Sequence, residues 1–275
     1  MQLPDTLAAI ILGIVEGLTE FLPISSTGHL ILVGNWLGAA GEKWKVFEVF
    51  IQLGAILAVC WAYRVKLLES VLGLFRRSGA AWRFWINLGI AFLPAAVVGL
   101  LCHHAIKHYL FNPVTVCITC VLGALVIFWV ERRPRPSTVA TVETITPRQA
   151  LLVGLAQLFA LIPGTSRSGA TIIGGMIFGL SRQAATEFSF FLAIPVMFAA
   201  SLFDLYQGRD LLHAADVAPF AIGFGVSFVA ALLAVKWLLR FISSHNFVPF
   251  AWYRIALGAV ILLYWACNGA GTRGA

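Results

Sequence analysis

The chain has 275 residues, 60% of them hydrophobic and only 11% charged, with a formal net charge of +7. Soluble domains carry about 25% charged residues, so this composition excludes one and points to an all-α integral membrane protein. The basic residues fall between apolar runs, where they speak to topology and the lipid surface, so no nucleic-acid partner is expected.

The N-terminus, MQLPDT, has no basic start, and a polar motif from Glu16 onward would interrupt an apolar leader core, so no cleavable signal is expected. The first region, 5–38, is an apolar helix broken by GIVEGLTEFLPISSTGH at 13–29. Glu16 and Glu20 stand four apart on one helical face. Two carboxylates at membrane depth repel each other unless a divalent cation or a shared proton lies between them. Mg²⁺ suits such a pair, because it takes one or two carboxylates and completes its shell with water and phosphate. Pro23 then stops the helix, Ser25, Ser26 and Thr27 offer hydroxyls and free amides, and Gly28 permits a sharp backbone path. The next helix, LILVGNWLG, is expected to begin at the end of this turn and to aim its N-terminus at the polar site, an arrangement that binds phosphate. His29, at the same corner, has the chemistry of a nucleophile or a general acid or base. The other five histidines (103, 104, 108, 213, 245) fall in expected loops or span ends and read as structural.

Three spans follow, at about 46–63, 86–102 and 114–130, with basic loops at 64–83 and 131–148. Glu48 and Gln52 share a helical face in the first of them. Cys117 and Cys120 form a CxxC with no His or acidic residue nearby, and together with Cys60, Cys102 and Cys267 they read as small buried hydrophobes. A second interrupted region, 149–180, carries PGTSRSGAT at 163–171. Arg167 lies there as the only basic residue expected at membrane depth, between Ser166 and Ser168 and ahead of a helix start at Ala170. A guanidinium makes bidentate contacts to phosphate and keeps its charge, so Arg167 requires Glu16, Glu20 or a phosphate as partner. The last spans are about 185–203, 218–238 and 250–267, with Glu187 near a cytoplasmic helix end.

The two interrupted regions correspond at an offset of 141: Gly13 with Gly154, Glu16 with Gln157, Ser25 with Ser166, Gly28 with Gly169. This predicts one membrane domain made of two inverted repeats, about 5–130 and 149–267, joined by a cytoplasmic linker at 131–148. Each repeat would hold a re-entrant helical hairpin, giving six transmembrane helices plus two hairpins around a central site. Broken backbone at membrane depth is tolerated only where it lines a polar cavity. Thirteen Lys and Arg, including Arg76, Arg77, Arg132, Arg133, Arg135, Lys236, Arg240 and Arg254, fall on one side, against Lys43, Lys45, Lys107, Arg209 and Arg273 on the other. The richer side is therefore expected to be cytoplasmic, with both termini outside.

At these motifs the chain resembles the undecaprenyl-diphosphate phosphatase family, also called bacitracin resistance proteins. The family's (E/Q)xxxE motif is filled by Glu16 to Glu20, and its PGxSRSxxT motif by Pro163 to Thr171. The resemblance runs the length of the chain. It implies hydrolysis of undecaprenyl diphosphate to undecaprenyl phosphate and inorganic phosphate at the outer face of the bacterial inner membrane. That reaction would recycle the carrier lipid for peptidoglycan and confer bacitracin resistance. A divalent cation, Mg²⁺ or Ca²⁺, is implied as well. The expected partners are a polyprenyl diphosphate and the bilayer, and a homodimer is compatible with the sequence.

Combining both lines, Glu16 and Glu20 are expected to hold the cation. Ser25, Thr27, Gly28, Gly164, Thr165, Ser166, Arg167, Ser168, Gly169 and Thr171 are expected to bind the substrate phosphates. Ser26 is the first choice of attacking group, with His29 or a glutamate taking its proton; His29 itself or an activated water are the rivals. A transporter or flippase is the competing class, since re-entrant repeats suit it. The division of labour, carboxylates and His in one half and Arg in the other, favours catalysis.

Overall fold

Capping residues in the sequence mark the starts of several helices in this computed structural model. It describes residues 4–39, 41–110, 112–133 and 136–267; the side chains of 103–105, 107 and 108 are also outside the description. The expectations for His103, His104, Lys107, His108, Arg135 and Arg273 therefore lie outside the described residues.

Among the described residues the α-helices are α1 (Asp5–Thr19), α2 (Ser26–Leu37), α3 (Glu42–Ala62), α4 (Arg64–Phe75), α5 (Gly79–Leu110), α6 (Pro113–Arg132), α7 (Pro147–Gln157), α8 (Arg167–Ile177), α9 (Arg182–Gly208), α10 (Val217–Ile242) and α11 (Val248–Cys267). Asn112 accepts from the Thr115 amide and Pro113 opens α6, while Thr146 and Gln149 form a capping box around Pro147 at the start of α7. Ser181 caps α9, and Gly38 ends α2 in the left-handed region that a side chain resists.

Six helices are long and apolar enough to cross a bilayer: α3, α6, α9, α10, α11 and the Gly79–Cys102 part of α5. They coincide with the six expected spans. The four helices of the two interrupted regions, α1, α2, α7 and α8, have 15, 12, 11 and 11 residues. At 1.5 Å per residue the longest is about 22 Å, less than the roughly 30 Å of a hydrocarbon core. Each pair is joined through a polar turn. Two expectations are corrected here. Residues 64–75 are helical rather than a loop. The motif residues also sit inside helices, since α2 begins at Ser26 and α8 at Arg167, not at Leu30 and Ala170.

Packing interleaves the two halves of the chain. Helix α1 lies mainly on α10, α3 on α10 and α9, α6 on α11, and α7 on α5. Small residues permit these approaches, as close backbone packing requires where lipid offers no hydrophobic drive for association. A Cβ on Gly13 would meet the Gly223 carbonyl at 2.7 Å, and one on Gly154 would meet the Ala91 carbonyl at 2.5 Å. The segment from 136 to 146 is pinned rather than loose. Val139, Val142 and Ile145 are buried, and the Ser181 amide donates to Val139 O. Beside it, the Glu131 carboxylate is buried, receives the Arg182 guanidinium at two nitrogens, and accepts from the Phe247 amide. Cys117 and Cys120 are buried and free, as read from sequence, whereas Cys102 and Cys267 are exposed.

Candidate active site

Two turns with the same local build meet inside the bundle. Ser25 caps α2 at φ 72° and Ser166 caps α8 at φ 71°, both in the left-handed region that non-glycine residues seldom enter. Each serine hydroxyl accepts from the amide three residues on: Gly28 N at 3.3 Å and Gly169 N at 3.1 Å. The capping serine thus occupies the third donor of each helix and leaves the amides before it for a ligand. Such left-handed-to-right-handed turns at a helix start form anion-binding concavities.

The second turn reaches the first through backbone carbonyls. Ser168 Oγ donates to Leu22 O at 2.8 Å, and Ser166 Oγ lies 3.4 Å from the same oxygen. Thr171 Oγ1 is held between Arg167 O and Ser189 Oγ. The hydroxyls of Ser168 and Thr171 therefore bond within the protein. Gly164, at φ 88°, and Thr165 shape the turn, while Gly28 and Gly169 contribute amides to the caps. Thr27 is half-buried in the first turn of α2.

Charge is concentrated where the turns touch. Arg167, in the first turn of α8, donates from Nη2 to Glu20 Oε1 at 3.1 Å and from Nη1 to Ser189 O at 3.2 Å, and its guanidinium lies 5.4 Å from the centre of the Phe21 ring. The other oxygen of Glu20 accepts from Ser26 Oγ at 2.5 Å. Glu16, one turn earlier on α1, is buried and within electrostatic reach of Glu20, Glu48 and Arg167. Two atoms here lack a protein partner: Glu16 Oε2 and Arg167 Nε. A buried orphan acceptor beside a buried orphan donor is the signature of a site built for a polar ligand. Of the five residues expected to do chemistry, the structure joins Arg167, Glu20 and Ser26 into one chain of hydrogen bonds with Glu16 beside it.

His29 is placed differently. Its Nδ1 meets Ser25 O at 2.7 Å, its Nε2 meets Tyr253 Oη at 2.7 Å, and the two rings stack with centroids 5.5 Å apart. A carbonyl can only accept, so Nδ1 carries the proton of the neutral ring and Nε2 accepts from the tyrosine. Gln52 Oε1 accepts from Ser201 Oγ, and Glu187 pairs with Lys66 at the start of α9.

Two residues escaped the sequence reading. Tyr253 carries no motif signal. Arg254 was placed at a span end and Arg167 named the only basic residue at depth; the structure corrects both. The Arg254 side chain is 1% exposed. It donates to Pro23 O at 3.2 Å in the first turn, to Gly164 O at 3.1 Å and Thr165 O at 2.9 Å in the second, and to Thr119 O and Cys120 O on α6. A planar trans peptide sets N–H opposite C=O, so drawing Thr165 O toward Arg254 turns the Ser166 amide the other way. An arginine four residues inside an apolar run was the available signal.

Comparison with known proteins places the chain among its relatives. A family model described as bacitracin resistance protein BacA matches residues 9–260. A protein of Nitrosospira multiformis named undecaprenyl-diphosphatase is 63% identical over 94% of this chain and 94% of its own length. Proteins of the same name from Methylococcus capsulatus and Dechloromonas aromatica are 60% and 59% identical, over 95% and 94% of this chain and 96% and 94% of their own.

Proposed function

The chain belongs to the bacitracin resistance protein family, and from that footing we propose that it hydrolyses undecaprenyl diphosphate to undecaprenyl phosphate and inorganic phosphate. This recycles the carrier lipid for peptidoglycan synthesis and confers bacitracin resistance. The observation that carries the assignment to this site is the continuous chain Arg167–Glu20–Ser26 between two anion-binding turns.

Phosphoryl transfer asks mainly for positioning and for stabilisation of charge on the transferring group. Arg167 Nε and the turn amides take the phosphate oxygens. Ser26 Oγ attacks the terminal phosphorus while its proton passes to Glu20. The bond to the bridging oxygen breaks, and undecaprenyl phosphate leaves as an anion that needs no proton. Water then attacks the phosphoserine, and Glu20 returns the proton to Ser26 as inorganic phosphate departs. His29, held by Tyr253, lines the first turn and acts on substrate orientation.

Glu16 and Glu20 fit a divalent cation, Mg²⁺ or Ca²⁺. Glu16 Oε2 is unpaired, and no group of three His, Cys, Asp or Glu among the described residues could hold a metal ion by itself, so Glu16 and Glu20 would hold the cation together with water and the diphosphate. Bound there, the cation would neutralise charge on the leaving phosphate.

With Arg254 inside the bundle, twelve basic residues remain on the richer side against five. The bias orients that side to the cytoplasm and the N-terminus of α1 to the exterior, so the site opens outward from a bacterial inner membrane. The corresponding glycines, serines and turns support two repeats about a central site. The test is phosphate release from a polyprenyl diphosphate by purified protein, with and without EDTA. Release that EDTA and Glu20→Ala each abolish is the expected result. Full activity of either sample would overturn the cation and carboxylate assignments.

A further inference from the structure

Helix α4 (Arg64–Phe75) has no part in the chemistry and lies wholly at the surface. None of its residues is buried. Its inner face is fixed. Lys66 pairs with Glu143 at 2.7 Å and Glu187 at 3.2 Å, tying the start of α4 to the linker and to α9, and Gly73 lies against Ala81 at the start of α5. The opposite face is a stripe at helical spacing: Val65, Leu68, Leu72 and Phe75, with exposures of 61%, 60%, 41% and 80%. Trp61 and Trp82, about half exposed, flank it on α3 and α5.

Position and charge say what covers this stripe. One spanning helix ends at Ala62 and the next span begins at Gly79, so α4 cannot lie far from the bilayer surface. At about 18 Å it is too short to cross. Arg64, Arg76, Arg77 and Arg83 are exposed, and Glu69 is the only acidic residue between 64 and 83. Arg77 stands at φ 57° while the Ser78 amide closes the helix on Gly73 O at 2.8 Å. That turn ordinarily takes glycine. Here an arginine takes it, with its backbone in an unfavourable conformation, next to Arg76.

We infer that α4 is an interfacial helix: its Val65–Leu68–Leu72–Phe75 stripe sinks into the leaflet on the basic side, and Arg76, Arg77 and Arg83 bind the headgroups of anionic phospholipid there. An amphipathic helix with aromatic flanks and a basic edge has the chemistry of such a surface. Lys66, already neutralised by two carboxylates, serves as the anchor and leaves the three arginines for lipid.

The experiment places the full-length protein in nanodiscs of phosphatidylcholine alone or with phosphatidylglycerol and follows amide hydrogen exchange across residues 64–77. Exchange should slow by at least about tenfold in the anionic discs, the size expected of several basic contacts at such a surface, and the difference should vanish in high salt. The triple variant R76Q/R77Q/R83Q should exchange alike in both lipids while releasing phosphate at the rate of the parent in phosphatidylcholine. The single variant R77G separates a lipid contact from a structural one. It relieves the backbone and should raise the thermal midpoint in neutral lipid, yet it should weaken protection by phosphatidylglycerol. Equal protection in both lipids, or a triple variant still protected by phosphatidylglycerol, would overturn the inference. So would protection in neutral lipid that grows with protein concentration, which would assign the stripe to a second copy of the chain.

Discussion

Glu20 and Arg167 stand 147 positions apart in the chain and 3.1 Å apart in the fold. The contact closes two polar turns on each other and leaves Glu20 with one oxygen for the arginine and one for Ser26. A purely structural ion pair would have no use for a hydroxyl at the second oxygen. A proton acceptor held in place by a fixed cation does.

Removing either end of the Ser26–Glu20 contact should leave substrate binding and lose turnover. Ser26→Ala and Glu20→Gln should each lower kcat by about 10² to 10⁴, the usual span for a lost nucleophile-activating base. Their double variant should be no worse than the poorer single, because residues acting as a unit are not additive. Phosphate release under saturating lipid measures this, and a Ser26→Ala protein retaining half its kcat would transfer the attack to water.

Arg167→Lys keeps the charge and loses the fork. Arg167 already divides its donors between Glu20 and Ser189 O and has Nε in reserve, whereas an ammonium offers a single point of contact. The expected cost is about 10²- to 10³-fold in kcat, that of removing one donor to transition-state charge. An unchanged kcat with a raised KM would mean that Arg167 only captures the diphosphate.

Much of this was legible in the sequence, and the reason is physical. A polar residue at membrane depth must have a partner, so Glu16, Glu20, Ser26, His29 and Arg167 announce themselves by being where lipid forbids them. The apolar runs likewise give the six spans, because length against bilayer thickness leaves little freedom. Arg254 escapes a charge count because it stands seventh in α11, and counting charges by segment cannot tell a snorkelling end from a side chain folded inward. Helix α4 reads as a loop in the sequence because basic and glycine residues mask the four-residue apolar stripe of a 12-residue helix. The partner of His29 was beyond reach, since Tyr253 lies 224 positions away with no motif to mark it.

Tyr253→Phe tests whether His29 depends on its placement. The substitution removes the hydroxyl that donates to Nε2 and keeps the stacked ring. One neutral hydrogen bond is worth about 1 kcal/mol, so kcat should fall roughly fivefold with KM and thermal midpoint little changed. A lowered midpoint with unaltered kcat would reduce Tyr253 to a packing role.

Acid should loosen the attachment of α4 to the linker on the basic side. Partial burial acts to raise the Glu143 carboxyl, but the hydrogen bond and charge of Lys66, joined by hydrogen bonds from its own backbone and Thr141, together outweigh it and hold the pKa below the ordinary 4.5. A carboxyl depressed in the folded state stabilises it above the unfolded value and loses that contribution as the pH falls through the folded value. Amide exchange in 64–75 and 139–146 should therefore accelerate together below pH 4.5, and Glu143→Gln should exchange at the faster rate already at neutral pH. Independent responses of the two segments would uncouple Lys66 from the linker.

Arg254→Met replaces the guanidinium by a shorter apolar chain and strips a donor from each of five buried carbonyls: Pro23, Thr119, Cys120, Gly164 and Thr165. No carboxylate is bonded to Arg254 among the described residues, so the cost lies in unsatisfied backbone and in two turns no longer tied together. A buried acceptor left without its donor costs about 1–3 kcal/mol, and several lost together are enough to lower the thermal midpoint in detergent. Arg254→Lys should recover part of the midpoint, because an ammonium reaches some of the carbonyls but cannot bridge both turns at once. Its remaining activity then separates folding from geometry. If Arg254 turns the Ser166 amide toward the phosphate, the lysine variant should show weaker inhibition by inorganic phosphate even where it is folded. Parental affinity for phosphate in that variant would leave Arg254 as a staple and nothing more.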